Sequence, residues 1–129
     1  MSAQLPTDQP AIRVNAMPGD ANAYGDIFGG WLMGQMDLAA GLVAARRARG
    51  RAVTIAMDGM QFHAPVHIGD EVSVYAELER VGRSSMTIAV AAWARDRHGE
   101  DYRKVTEARF VFVAIDVDRK PRMIEDDGR

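Results

Sequence analysis

The sequence contains no cysteine. That excludes a disulfide framework and a thiolate metal site, and it suits a reducing compartment. There is no excess of either charge: 16 basic against 18 acidic residues leave a net charge of −2, with the signs interspersed. A basic face of the kind that binds nucleic acid is therefore not expected. Residues 1–10 are polar and hold two prolines but no apolar run. Neither a secretory signal nor a membrane span is expected there, and a cytoplasmic location is. No lysine accompanies Gly25, Gly29 and Gly30 to make a phosphate-binding loop. Ser84 and Ser85 lack the Gly-x-Ser-x-Gly setting of a serine hydrolase. His63 and His67 have the spacing of a helical metal pair, but Pro65 lies between them and no acidic ligand accompanies them, so no metal site is expected. Repeats and low-complexity stretches are also absent.

What is present fits one domain of 129 residues, 47% apolar. Its expected bounds are 11–117, between a flexible segment at 1–10 and a charged, fraying tail at 118–129. Residues 12–17 alternate as a short strand, and 18–25 are rich in turn residues. Asp26 stands at the position of a helix N-cap. Residues 27–48 then read as the single long helix, with Gly50 ending it. Trp31, Leu32, Met33, Met36, Leu38, Leu42 and Val43 make that helix apolar nearly all round. Arg46, Arg47, Arg49 and Arg51 gather at its end, where cations complement the helix dipole or bind phosphate. Four strands follow at 53–62, 71–81, 85–95 and 102–116. A run of strands after one helix predicts an α+β fold, a mainly antiparallel five-stranded sheet packed on that helix. One sheet cannot cover a helix that is apolar on all sides, so a second subunit is expected against it.

Two features carry chemistry. Gly29 and Gly30 fall in the first helical turn, where backbone N–H groups lack internal partners and face the positive end of the dipole. Amides so placed can hold an oxyanion; the alternative is close packing of the helix start against the sheet. Asp37 is a carboxylate in the middle of the apolar helix. Its neighbours Met33, Gly34, Ala40 and Gly41 cannot pair its charge, and three of them are small enough to leave space beside it. Such a group needs a partner from elsewhere in the assembly or a function. Gly29 and Asp37 are eight residues apart, hence ~12 Å along one helix. One carbonyl cannot touch both within a chain, so joint action requires two chains related by a twofold axis. Met57, Met60 and Phe62 read as core or acyl-pocket lining.

The run Met17-Pro18-x-Asp20-x-Asn22-x-x-Gly25-Asp26-Ile27-Phe28-Gly29-Gly30-Trp31-Leu32-Met33, with Gln35-Met36-Asp37, resembles the signature of the YciA-type acyl-CoA thioesterases. Met60-x-Phe62-x-x-Pro65-Val66-x-x-Gly69-Asp70, Val81-Gly82-Arg83-Ser84-Ser85 and Ala114-x-Asp116 match in order and spacing. The resemblance implies a hotdog fold, hydrolysis of acyl-CoA to free acid and coenzyme A, and assembly from homodimers, often into hexamers. It implies no cofactor, since coenzyme A is part of substrate and product. It makes Asp37 the general base or nucleophile and the Gly29 or Gly30 amide the oxyanion donor. Asn22 and Asp26 become polar groups at the site mouth. Phe62 and His63 contact substrate, while Gly82, Arg83, Ser84 and Ser85 lie along the pantetheine arm, with Arg83 in reach of a phosphate. Tyr24 departs from the small polar residue common at its position and narrows the entrance. Two other functions are carried as alternatives: an acyl-thioester hydratase, for which His63 is the one candidate proton carrier, and a non-catalytic acyl-CoA binding module.

Overall fold

The computed structural model describes residues 4–126; residues 1–3 and 127–129, the outermost parts of the expected terminal segments, lie outside the described residues. The element order is β1 (Ile12–Asn15), a 3-10 turn (Pro18–Asp20), α1 (Gly29–Ala48), β2 (Ala52–Phe62), β3 (Glu71–Val81), β4 (Ser85–Arg95) and β5 (Tyr102–Ala114). The strands form one five-stranded sheet in the order β1-β3-β4-β5-β2, every pair antiparallel. Strand alternation puts Val72 and Val74 of β3, Met86, Ile88 and Val90 of β4, and Phe110 and Phe112 of β5 on one face. There they meet Leu32, Met36, Ala39, Ala40, Ala44 and Ala48 of α1. The small residues of α1 let the helix sit close to the sheet. Register shifts in β2 at Thr54/Ala56 and Asp58/Gln61, and in β5 at Val105 opposite Ala92/Trp93, bend the strands so that the sheet curves round the helix. This is the expected α+β hotdog arrangement.

Three local expectations are corrected. The helix begins at Gly29, and its N-cap is Phe28, without a side-chain cap. Asp26 is not the cap because its backbone bridges His67, while the Ile27 and Phe28 N–H groups donate to the Val66 and Asp20 carbonyls. At the other end Arg49, not Gly50, takes the left-handed conformation, at φ 54°. Gly50 instead lies against Arg122: a Cβ there would stand 2.8 Å from the guanidinium, which would have to shift. The segment after Val117 does not fray as far as it is described, for it turns back and buries Ile124 in the core.

One face is left open. β2 is an edge strand, with Ile55 exposed, and the neighbouring side of α1 exposes Leu38 and Leu42 at 60% and 58%. Among the described residues no helix is long and apolar enough to cross a membrane.

Candidate active site

The helix start is built by the loop before it. The Asn22 side-chain oxygen accepts the N–H groups of Tyr24 (2.8 Å) and Asp26 (3.1 Å), and the Asn22 N–H donates to the Asp26 carbonyl at 2.6 Å. This fixes the loop and leaves the Asn22 side-chain NH2 as a donor without an acceptor among the described residues. Asp26 in turn stands 3.6 Å from His67 Nδ1, both half exposed. The loop carrying His67 is clamped from beneath. Buried Asp70 accepts the His67 N–H at 2.9 Å and pairs with Arg103, whose guanidinium also donates to the Pro65 carbonyl.

Between these segments opens a cleft of about 490 Å³. Asp26, Phe28, Gly29, Leu32, Phe62 and His63 are among the residues lining it, with Val66 and Val105 on its apolar side. The two glycines have different roles. A Cβ on Gly29 would lie 3.2 Å from Phe62 Cζ, so Gly29 serves close packing. A Cβ on Gly30 would meet nothing within 4 Å, so close packing does not require a glycine there. The first helical amides have no intrahelical acceptor and, without a capping side chain at Phe28, keep their partial positive charge for that ligand. Next to the cleft, the hydrogen bond from Lys104 holds the Glu107 carboxyl below the ordinary carboxylate range against partial desolvation, with His63 adding to the pull.

Asp37 is not in this cleft. It is half exposed in the single chain rather than buried, and it is not unpaired: Thr54 Oγ1 donates to Asp37 Oδ1 at 2.6 Å. The residue that sequence reasoning missed is thus Thr54. Nothing in its local sequence marks it, because the contact joins a helix to a strand seventeen residues on. Thr54 pairs with Phe112, and Phe112 with Met86, so Asp37 shares its end of the sheet with the turn of residues 82–85. That turn is tight: the Gly82 N–H donates to the Ser85 carbonyl at 2.7 Å, and the Ser84 carbonyl accepts the Ala114 N–H at 2.9 Å. The structure therefore sorts the candidate residues into two groups. Asn22, Asp26, Gly29, Gly30, Phe62 and His63 gather at one end of α1. Asp37, Gly82, Arg83, Ser84 and Ser85 gather toward the other.

The same sequence matches known proteins. A family model described as the thioesterase superfamily matches residues 24–100. An uncharacterized acyl-CoA thioester hydrolase of Zymomonas mobilis is 58% identical over 90% of this chain and 78% of its own length. The acyl-CoA thioester hydrolase YciA of Salmonella typhimurium is 44% identical over 95% of each chain. Among solved structures, a hexameric thioesterase from Yersinia pestis superposes with a TM-score of 0.90 at 45% identity, covering 95% of this chain and 99% of that one. The chain belongs to the thioesterase superfamily, among its YciA-type acyl-CoA thioester hydrolases.

Proposed function

We propose that the protein hydrolyses acyl-CoA thioesters at a site shared by two copies of the chain. Asp37 and the residues 82–85 come from one copy; the first-turn amides, Asn22 and the cleft come from the other. The observation that carries this reading is the sorting of the candidate residues into two groups eight helical residues apart. An open edge strand β2 beside exposed Leu38 and Leu42 supports a twofold homodimer, which would set one group against the other. We extend this to a hexamer of three dimers; the Yersinia pestis thioesterase is hexameric.

In such a site the Gly29 or Gly30 N–H donates a hydrogen bond to the thioester oxygen, and Asn22 offers a second N–H. Water attacks the carbonyl carbon while Asp37 takes its proton. Charge on the tetrahedral oxygen is met by the helix amides, which the dipole favours. Collapse breaks the C–S bond, and the proton on Asp37 goes to the departing coenzyme A sulfur. Asp37 can equally attack the carbonyl itself, forming an anhydride as the C–S bond breaks and the coenzyme A thiolate leaves to take a proton from water; a second water then opens the anhydride, and both routes need the carboxylate in the same place. Thr54 orients that carboxylate. Because water, one carboxylate and the amide donors suffice for the balance, the reaction requires no cofactor. We assign the enzyme to the cytoplasm and to fatty acid metabolism, in keeping with the absence of cysteine and the thioester substrate.

The test is Asp37→Asn, assayed by thiol release from acyl-CoA. Turnover is expected to vanish while the melting curve and the sedimentation of the assembly stay as in the native protein. Retained thiol release would remove Asp37 from the mechanism.

A further inference from the structure

The charged segment that follows β5 is a strap. Asp116 Oδ1 accepts the N–H groups of Asp118 and Lys120, and Arg119 at φ 64° turns the chain back. Arg122 then bridges two elements: Nη2 donates to the carbonyl of Ala48, the last residue of α1, at 2.6 Å, and Nε to that of Ile115 at 3.2 Å. The guanidinium passes close to Gly50, 2.8 Å from where a Cβ would stand. Two residues on, the Ile124 N–H donates to the Arg83 carbonyl at 2.8 Å, and the Ile124 side chain is only 8% exposed. One short segment thus ties the end of α1, the end of β5 and the turn of residues 82–85 together.

The turn so held presents Arg83 to solvent, without an ion pair among the described residues. On the far side of β5, Arg51 is likewise exposed and has no ion pair among the described residues. Its carbonyl accepts the Ile115 N–H at 3.0 Å, while the neighbouring Ala114 N–H goes to Ser84. With β5 between them, the backbones of Arg51 and the turn are two strand spacings, roughly 10 Å, apart. Two exposed guanidiniums carried on backbones that far apart suit a ligand with separated phosphates, as coenzyme A has in its diphosphate and its ribose phosphate.

We propose that the strap is a positioning element for the nucleotide arm of coenzyme A: Arg122 and the Ile124 amide hold the turn so that Arg83, with Arg51 across β5, meets the phosphates. The proposal rests on the thioesterase reading. It makes Arg122 a positioning residue that acts through Arg83.

The test is a double-mutant cycle on the full chain, with coenzyme A binding measured by calorimetry and turnover compared between an acyl-CoA and the same acyl-pantetheine, which lacks the nucleotide. Losing one charge-assisted phosphate contact is expected to weaken coenzyme A binding about tenfold in Arg122→Ala and in Arg83→Ala alike. In Arg122→Ala the loss of kcat/KM on acyl-CoA should exceed that on acyl-pantetheine by the same factor. The double variant should be no worse than Arg83→Ala alone, because the two act as one unit. Additive losses, equal losses on both substrates, or unchanged binding would overturn the proposal. Where Arg122→Ala does not fold, Arg122→Gln keeps a donor for Ala48 but cannot span to Ile115, and the same outcomes apply. A wild-type protein that binds coenzyme A but releases no thiol defeats the thioesterase reading alone, and the strap is then judged on the binding cycle. A wild-type protein that does not bind coenzyme A overturns the strap proposal.

Discussion

Mixing two inactive variants should restore activity if each site draws on two chains. Asp37→Asn disables one group of residues, and Gly30→Val disables the other by filling the space that is open above the first helical amides. In a mixed twofold pair, one site combines both lesions and the other combines neither. Random pairing makes about half of all pairs mixed, and each has one native site of two, so the mixture should recover about one quarter of native activity. The geometry forbids a one-chain alternative, because Gly30 and Asp37 lie seven residues apart on a single rigid helix, ~10 Å along its axis. The assay co-expresses the two variants in equal amounts, purifies all assemblies together, and compares thiol release per chain with that of the native protein. Mixed assemblies as inactive as their parents would refute the shared site. Such a result would mean that Asp37 and the cleft of one chain suffice, or that Asp37 is not in the reaction.

Other perturbations follow from the same structure. Thr54→Val removes the hydroxyl that donates to Asp37 Oδ1 at 2.6 Å, and kcat should fall roughly tenfold with little change in KM, as steady-state kinetics would reveal. Met36→Ala empties a fully buried position of the core, and urea unfolding should register a loss of about 2–5 kcal/mol. Glu71→Gln tests acid stability. The hydrogen bond from Arg95 leads the causes that lower the Glu71 carboxyl below 4.5, with Tyr102 and Arg13 assisting against desolvation. A depressed folded-state value stabilises the protein above the unfolded value, and that stabilisation disappears as pH falls through the folded value. Between neutral pH and acid below 4.5, the wild type should therefore lose more stability than Glu71→Gln, as melting curves across that range would record.

Much of this was legible in the residue order. The strands read at 71–81 and 85–95 are β3 and β4 to the residue, since strand periodicity and turn residues are local properties. The spacing of Gly29 and Asp37 on one helix implied a second chain before any fold was known. Local signals misled where tertiary partners intervened. Asp26 has the chemistry of an N-cap, yet its backbone is taken by His67, which no nearby residue announces. Gly50 has the chemistry of a helix stop, yet the left-handed turn falls on Arg49 and Gly50 lies against the Arg122 guanidinium. The charged stretch after Val117 has a tail's composition, and only the hydrogen bonds of Arg122 and Ile124 make it a strap.

The sequence by itself determined the helix, the strands and the separation of the two chemical groups along α1, because these depend on periodicity and on a fixed rise per residue. The tertiary structure alone decided which residues join each group. Thr54 reaches Asp37, Phe62 abuts Gly29 and the strap holds Arg83 because the curvature and register of the sheet bring distant segments together, and neither is written in any short stretch of chain.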